Sequence, residues 1–170
     1  MSVPEFSRPF DVRQADGKQV MLSAREDERK ALADRFALVR IDRLEAGLLL
    51  RRIGEAVEAT GRIEADVVQS CAVSGDDLAV AISEPLALRF VPAGAIELSE
   101  DEIELDAAAS DEIEYSGTTF DLGEAVAQSL ALAIDPFATG PTADEARRRS
   151  GLQGEGDSGP FAALRGLLKD

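Results

Sequence analysis

The residues of this chain whose types and spacing could do chemistry are mostly carboxylates, and they are concentrated in one stretch. Between Phe90 and Ala146 the sequence holds 14 Asp and Glu residues and neither Lys nor Arg, so nearly all of the formal net charge of -15 lies there. Clustered carboxylates can bind divalent cations, act as general acids or bases, or attract basic polypeptides. Their spacing lacks the Asp-x-Asp-x-Asp-Gly pattern of a calcium loop, which favours a solvated surface or a protein-binding strip over a metal site. The acidic strip comprises Glu97, Glu100, Asp101, Glu102, Glu104, Asp106, Asp111, Glu112 and Glu114.

The sequence contains no histidine and a single cysteine, Cys71. These two facts exclude Cys/His zinc sites, an internal disulfide, and Ser/His/Asp or Cys/His nucleophile systems. Cys71 occupies an apolar position of an alternating segment, which predicts a buried, unreactive thiol. We therefore predict a protein that is not an enzyme and has no cofactor or small-molecule substrate. A metal-dependent hydrolase that uses the clustered carboxylates is the lowest-ranked alternative.

Six arginines form the alternative set of binding residues. Arg51, Arg52 and Arg62 are expected on the polar side of a sheet, and Arg147, Arg148 and Arg149 form the only basic cluster after Arg89. These side chains could contact RNA phosphates or remain solvated, and the later cluster could also fold back on the acidic strip. No aromatic residues are interleaved with them to stack on bases. Direct RNA binding therefore stays open as a second hypothesis.

Alternating apolar and polar residues predict the strands that must carry these groups. The clearest pattern covers residues 57–73, in which Gln69 is the one polar exception on the apolar side. Because this is long for a strand, we expect a bend or bulge near Gly61. A turn at residues 74–77 leads into a second long strand. Pro9 places the extended segment 6–12 at an edge, and Asp16-Gly17 predicts a hairpin turn from it into residues 18–22.

Two helices are predicted from capping residues and apolar stripes. Ser23 and Glu26 have the spacing of a capping box at the start of a helix over residues 24–36. Asp121 and Glu124 repeat that spacing before a stripe over residues 122–134, which Asp135-Pro136 ends. Short triplets such as Ile113-Glu114-Tyr115 predict further strands. The expected fold is α+β, with a curved antiparallel sheet or partial barrel, two packed helices and a short C-terminal helix.

The composition divides the chain into three parts. Residues 1–138 are expected to form a single domain, residues 139–158 a flexible linker, and residues 159–170 a short amphipathic helix. An isolated helix of that length is not stable in water, so it should dock either on its own domain or in a groove of a partner. No signal peptide or membrane-spanning stretch is present, which predicts a cytoplasmic protein without membrane contact. The apolar stripe of the terminal helix consists of Phe161, Leu164, Leu167 and Leu168.

Six segments of the chain, taken in order, carry a family resemblance: residues 28–33, 61–65, 68–71, 85–92, 121–134 and 159–164. Together they resemble the YceD-like family, the large ribosomal RNA subunit accumulation proteins. Many members carry a Cys-x-x-Cys pair, but here Ser74 stands where the second cysteine would follow Cys71, so a metal or redox role of the pair is not carried over.

The resemblance implies a non-enzymatic role in large ribosomal subunit biogenesis and accumulation of 23S ribosomal RNA. Combined with the charge distribution, it leads us to expect that the acidic strip binds a basic ribosomal or ribosome-assembly protein. The apolar stripe of the C-terminal helix would add a second contact. Large-subunit precursor RNA is a possible further partner.

Overall fold

The computed structural model describes residues 4–95 and 111–151. Within these ranges three long consecutive strands form the centre of the chain, and shorter elements precede and follow them. In chain order the elements are β1 (Pro9–Asp11), a 3-10 helix (Val12–Gln14), β2 (Gln19–Ser23), α1 (Glu26–Arg35), β3 (Arg40–Ile53), β4 (Ala56–Ser70), β5 (Asp77–Pro92), β6 (Asp111–Tyr115), β7 (Thr119–Asp121), α2 (Leu122–Ala133) and α3 (Ala143–Arg149).

A five-stranded sheet in the order β2-β3-β4-β5-β6 organises the fold. Strands β2 to β5 are antiparallel to their neighbours, whereas β6 runs parallel to β5. The sheet is open, and β1 and β7 form a separate antiparallel pair. The predicted α+β class is therefore confirmed, with one parallel strand pair in a sheet that was expected to be antiparallel throughout.

The alternation along β4 gives the sheet a buried side and a solvated side. Ile63 and Ala65 are fully buried, whereas Arg62 and Glu64 between and beside them are exposed. The buried side is called the inner face below, and the solvated side the outer face. Helices α1 and α2 pack on the inner face, where apolar residues of both helices join the sheet residues in one hydrophobic core.

Gly61 allows β3 and β4 to approach closely. Pairing of the two strands shifts between Ile41 and Arg43 and is continuous at Gly61, so the irregularity does not lie where the sequence suggested. A Cβ atom on residue 61 would lie only 1.9 Å from the carbonyl oxygen of Gly47. The glycine is therefore needed for the cross-strand contact and not for a break in register.

Helix α1 begins later than the predicted capping box. Arg25 is its N-cap residue, and the N–H of Arg25 donates to the carboxylate of Glu28 at 2.8 Å. Ser23 is the last residue of β2 and pairs with Glu45 of β3. The prediction that Ser23 and Glu26 cap this helix is wrong because the sheet ladder holds Ser23 in extended conformation.

Helix α2 agrees with its sequence pattern. The side chain of Asp121 accepts a hydrogen bond from the N–H of Glu124 at 3.0 Å, as expected for an N-cap residue. Leu122, Val126 and Leu130 of the predicted stripe are fully buried. The helix ends at Ala133, just before the Asp-Pro pair.

The N-terminal segment pairs with a strand that is distant in sequence. Strand β1 pairs with β7 and β2 pairs with β3, so the predicted hairpin between residues 6–12 and 18–22 is wrong. Asp121 holds the segment in place by accepting the N–H of Arg8 at 2.8 Å and the hydroxyl of Ser7. The chain passes between the two sheets through the 3-10 helix instead of turning back on itself.

Residues 139–151 are the described part of the segment whose composition predicts a flexible linker. They include α3, whose first residue, Ala143, is buried. The hydroxyl of Thr142 donates to the carboxylate of Asp76 at 2.6 Å, and the N–H of Ala72 donates to the carbonyl of Ala138 at 3.0 Å. The chain after α2 thus packs on the turn between β4 and β5. The remainder of the predicted linker and the predicted C-terminal helix lie outside the described residues.

A hydrogen bond accounts for the polar residue Gln69 on the apolar side of β4. Its side chain is buried, and its amide nitrogen donates to the carbonyl of Asp135 at 2.7 Å. The polar side chain therefore connects the C-terminal end of β4 to the chain that leaves α2. Separately, no helix in the described ranges is long and apolar enough to cross a bilayer.

Candidate protein-binding site

Three members of the acidic strip lie on β6, and all three are exposed: Asp111, Glu112 and Glu114. Glu112 forms an ion pair with Arg89 of β5 at 3.2 Å. Glu114 accepts the backbone N–H of Gly94 at 3.2 Å. The other six members of the strip, Glu97, Glu100, Asp101, Glu102, Glu104 and Asp106, lie outside the described residues.

Strand β6 is an edge of the main sheet, with β5 on one side and no described strand on the other. The carbonyl of Tyr115 accepts the N–H of Ala93, so the backbone groups of Tyr115 point toward β5. Backbone groups alternate in direction along a strand, which turns those of Glu112 and Glu114 toward the unpaired edge. The Tyr115 hydroxyl donates to the carbonyl of Glu55 at 2.6 Å, and burial raises the pKa of this tyrosine.

A groove of about 420 Å³ runs beside β6 on the inner face, between this strand, β7 and α2. Its floor is apolar, with Ile113, Phe90 and Phe120 contributing to it. Asp121 and Glu124 are among the residues that line it, and no lysine or arginine of the described ranges does. An apolar floor with an acidic rim is complementary to a segment that carries both apolar and basic side chains.

Glu124 is held on the wall of this groove by α1. Both carboxylate oxygens of Glu124 accept from the guanidinium of Arg35, at 2.9 and 3.1 Å. This hydrogen bonding raises the pKa of Arg35. Gln128, one turn further along α2, is exposed and donates to the same carboxylate at 3.1 Å. No local sequence signal indicates a groove here, because its walls come from strands and a helix that are brought together only by the tertiary fold.

The arginines proposed to bind RNA do not form one surface. Arg51 and Arg52 are consecutive in β3 and therefore point to opposite faces of the sheet. Arg52 donates from Nε to the carbonyl of Gly54 at 2.8 Å. Arg62 is exposed on the outer face and donates to the hydroxyl of Ser83 at 2.8 Å.

The three arginines of α3 lie near the other end of the sheet. Arg147 pairs with Asp144 at 2.9 Å, and Arg149 pairs with Glu145 at 3.5 Å. Arg148 donates to the carbonyl of Asp144. Helix α3 follows the turn at the far end of β4, so roughly 40 Å of strand separates it from Arg51 at about 3.3 Å per residue.

Cys71 is buried at the end of β4, as the alternation predicts. Its sulfur accepts hydrogen bonds from the N–H groups of Ser74 at 3.4 Å and Gly140 at 3.3 Å. Hydrogen bonding from the Ser74 hydroxyl, followed by these N–H groups and that of Val73, lowers the pKa of Cys71 to about 6. The sequence alone did not indicate this, because Gly140 is distant along the chain.

No group of three or more carboxylate, cysteine or histidine side chains arranged to hold a metal ion occurs within residues 4–95 and 111–151. The apolar stripe Phe161, Leu164, Leu167 and Leu168 lies beyond these ranges.

Comparison with known proteins found no similar protein. No family model matches the chain, and neither a curated protein nor a solved structure matches it.

Proposed function

We propose that this protein is a non-enzymatic factor that binds a basic ribosomal or ribosome-assembly protein through the acidic strip. In this role it supports large ribosomal subunit biogenesis and the accumulation of 23S ribosomal RNA in the cytoplasm. The ribosomal context comes from the resemblance to the YceD-like family. The observation that carries the binding proposal is the exposure of Asp111, Glu112 and Glu114 on an edge strand beside an acid-rimmed groove.

Electrostatics favour a polypeptide over a nucleic acid as the partner. The sequence from residue 91 to 145 carries only negative formal charges, and such a surface repels phosphate backbones. On the described part of the chain the arginines are dispersed, and two of the three in α3, Arg147 and Arg149, have carboxylate partners. The apolar stripe at Phe161, Leu164, Leu167 and Leu168 would supply a second contact, and two tethered contacts raise avidity by about 10² to 10⁴ when both engage.

The test is capture of partners by the tagged full chain at low salt. We expect basic large-subunit proteins to be retained at about 50 mM salt and largely released at about 500 mM, because exposed charges are screened over roughly 10 Å at 0.1 M. A variant with Asp111→Asn, Glu112→Gln and Glu114→Gln should retain several-fold less. A control with Asp77→Asn and Glu84→Gln removes exposed carboxylates elsewhere on β5 and should behave like the wild type.

Two results would contradict the proposal. Undiminished capture by the triple variant, insensitive to salt, would exclude the electrostatic contact. Recovery of protein-free large-subunit RNA, lost on replacement of Arg51, Arg52 and Arg62, would instead support direct RNA binding.

A further inference from the structure

The edge of β6 that faces away from β5 has backbone groups without a partner among residues 4–95 and 111–151, in addition to its charges. Tyr115 points its backbone groups toward β5, which leaves those of Glu112 and Glu114 directed away from the sheet. Within the described residues no backbone partner is present for them. Unpaired edges of this kind accept a strand from another chain.

The groove beside β6 lies where the inward side chains of an added strand would point. Ile113 is half-buried and faces this groove, with Phe90 and Ala125 behind it. The volume of about 420 Å³ is enough for a few aliphatic side chains. On the other side of the same strand, Glu112 and Glu114 would stand beside the outward side chains of the added strand.

From these two features together we infer that β6 binds an extended, basic segment of the partner by strand addition. The segment would alternate apolar residues, which enter the groove, with Lys or Arg residues, which lie beside Glu112 and Glu114. This inference rests on the proposed function and specifies how the partner is recognised. Backbone hydrogen bonds would provide affinity, and the alternation of side chains would provide selectivity.

The chemistry of the two edges of the sheet distinguishes this partner from a second copy of the chain. The edge strand β6 carries three exposed carboxylates, so two such strands side by side would place like charges opposite each other. The opposite edge strand, β2, has exposed Gln19, Met21 and Ser23 and carries no charge. Strand β6 is therefore suited to a cationic strand and unsuited to self-association.

The test uses a seven-residue peptide of alternating Lys and Val, with the full chain labelled with ¹⁵N. Two further peptides are methylated on the backbone nitrogen of every Val or of every Lys. Each change leaves the charge of the peptide unchanged and removes the backbone hydrogen-bond donors along one edge of the peptide strand. We expect the parent peptide to bind, and one of the two methylated peptides to bind at least tenfold more weakly. Binding should also slow amide exchange at Glu112 and Glu114.

Protein variants test the groove and the charges separately. Gln128→Arg places a cation on an exposed helix position of the groove wall and should weaken binding about tenfold, whereas Gln128→Glu should not weaken it. The pair Asp77→Asn and Glu84→Gln, at exposed positions of β5 away from the groove, should leave the affinity unchanged.

Two outcomes would overturn strand addition. One is equal binding of both methylated peptides and the parent, and the other is slow exchange of the Glu112 and Glu114 amides in the free chain, which would show that the edge is already paired. In either case, salt-dependent capture of basic ribosomal proteins would leave the proposed function standing. Loss of that capture as well would refute both.

Discussion

The guanidinium of Arg8 donates two hydrogen bonds, of 2.8 and 2.9 Å, to the carboxylate of Glu28. The Glu28 side chain is only 6% exposed, and it also accepts the N–H of Arg25 at the start of α1. The hydrogen bonds from Arg8 lower the pKa of Glu28. One ion pair thus joins the N-terminal segment to the first turn of α1.

Replacement of Arg8 by Met should destabilise the protein substantially. The change leaves the buried Glu28 carboxylate with only the more distant guanidinium of Arg25, at 3.4 Å, and loss of one partner of a buried pair costs about 3 kcal/mol. Urea unfolding at pH 7 measures this. Arg13→Met is the matched control, because Arg13 is exposed and its pair with Asp11 should contribute little to stability. Equal effects of the two changes would contradict the structural role of the Arg8 pair.

The same pair predicts a pH dependence. The pKa of Glu28 is lower in the folded state than the unfolded value of about 4.3, so its stabilising contribution is complete above that pH and is lost as the pH falls below it. The difference in unfolding free energy between wild type and Arg8→Met should therefore shrink between pH 5 and pH 3. A constant difference across this range would rule out the ionised pair as its source.

Cys71 should ionise well below the usual thiol range. Because the chain has one cysteine and one tyrosine, absorbance at 240 nm reports the Cys71 thiolate without interference below pH 9. The expected midpoint is about pH 6, and Cys71→Ser should abolish the transition. Because the folded pKa is depressed, wild-type stability relative to this variant should rise from pH 6 to about 8.5. A midpoint near 8.5 would show that the hydrogen bonds to sulfur are not formed in solution.

Gly61→Ala should be much more destabilising than Gly47→Ala, although the two glycines lie close together on adjacent strands, where Gly61 pairs with Leu48 and Gly47 with Arg62. The new methyl at residue 61 would meet the Gly47 carbonyl oxygen at 1.9 Å, which only a backbone shift can relieve. A methyl at residue 47 would meet the flexible Met21 side chain at 3.0 Å. We expect about 3 kcal/mol and less than about 1 kcal/mol, respectively, from thermal or urea unfolding. Similar losses would mean that the strands separate easily.

Gln69→Leu should loosen the chain that follows α2. The change removes the hydrogen bond to the carbonyl of Asp135 and leaves that acceptor unpaired, at a cost of about 1–3 kcal/mol. Hydrogen exchange of the Ala72 amide, which donates to Ala138, should accelerate more than exchange in the centre of β4. The neighbouring exposed residue provides the control, since Ser70→Ala should change neither rate. Uniform acceleration would indicate global destabilisation only.

Local signals in the sequence were sufficient for α2 and for the faces of β4. Asp121 caps its helix through a bond to a residue three positions away, and the alternation around Ile63 depends only on which face is buried. Such features are encoded within a few residues. The strand at Ile113 was predicted for the same reason, whereas its parallel pairing with β5 was not.

Features that depend on distant partners were missed. The turn signal at Asp16-Gly17 is compatible with a hairpin, but the segment before it pairs with β7 because Asp121 binds Ser7 and Arg8. Ser23 was predicted to cap a helix because its pairing with β3 cannot be recognised from the neighbouring residues in the sequence. The groove beside β6 is likewise a tertiary feature. The charge of the site could be predicted from sequence, but its shape could not.

The pairing of β1 with β7 sets the timing with which a nascent chain can complete its fold. Ser7 and Asp121 are 114 positions apart and bond directly to each other. At about 5–20 residues per second, a ribosome needs roughly 6–23 s to add that many residues, and the first strand has no partner until then. The small sheet therefore forms only after β7 has been synthesised. On a ribosome that stalls earlier, β1 of the nascent chain would remain unpaired.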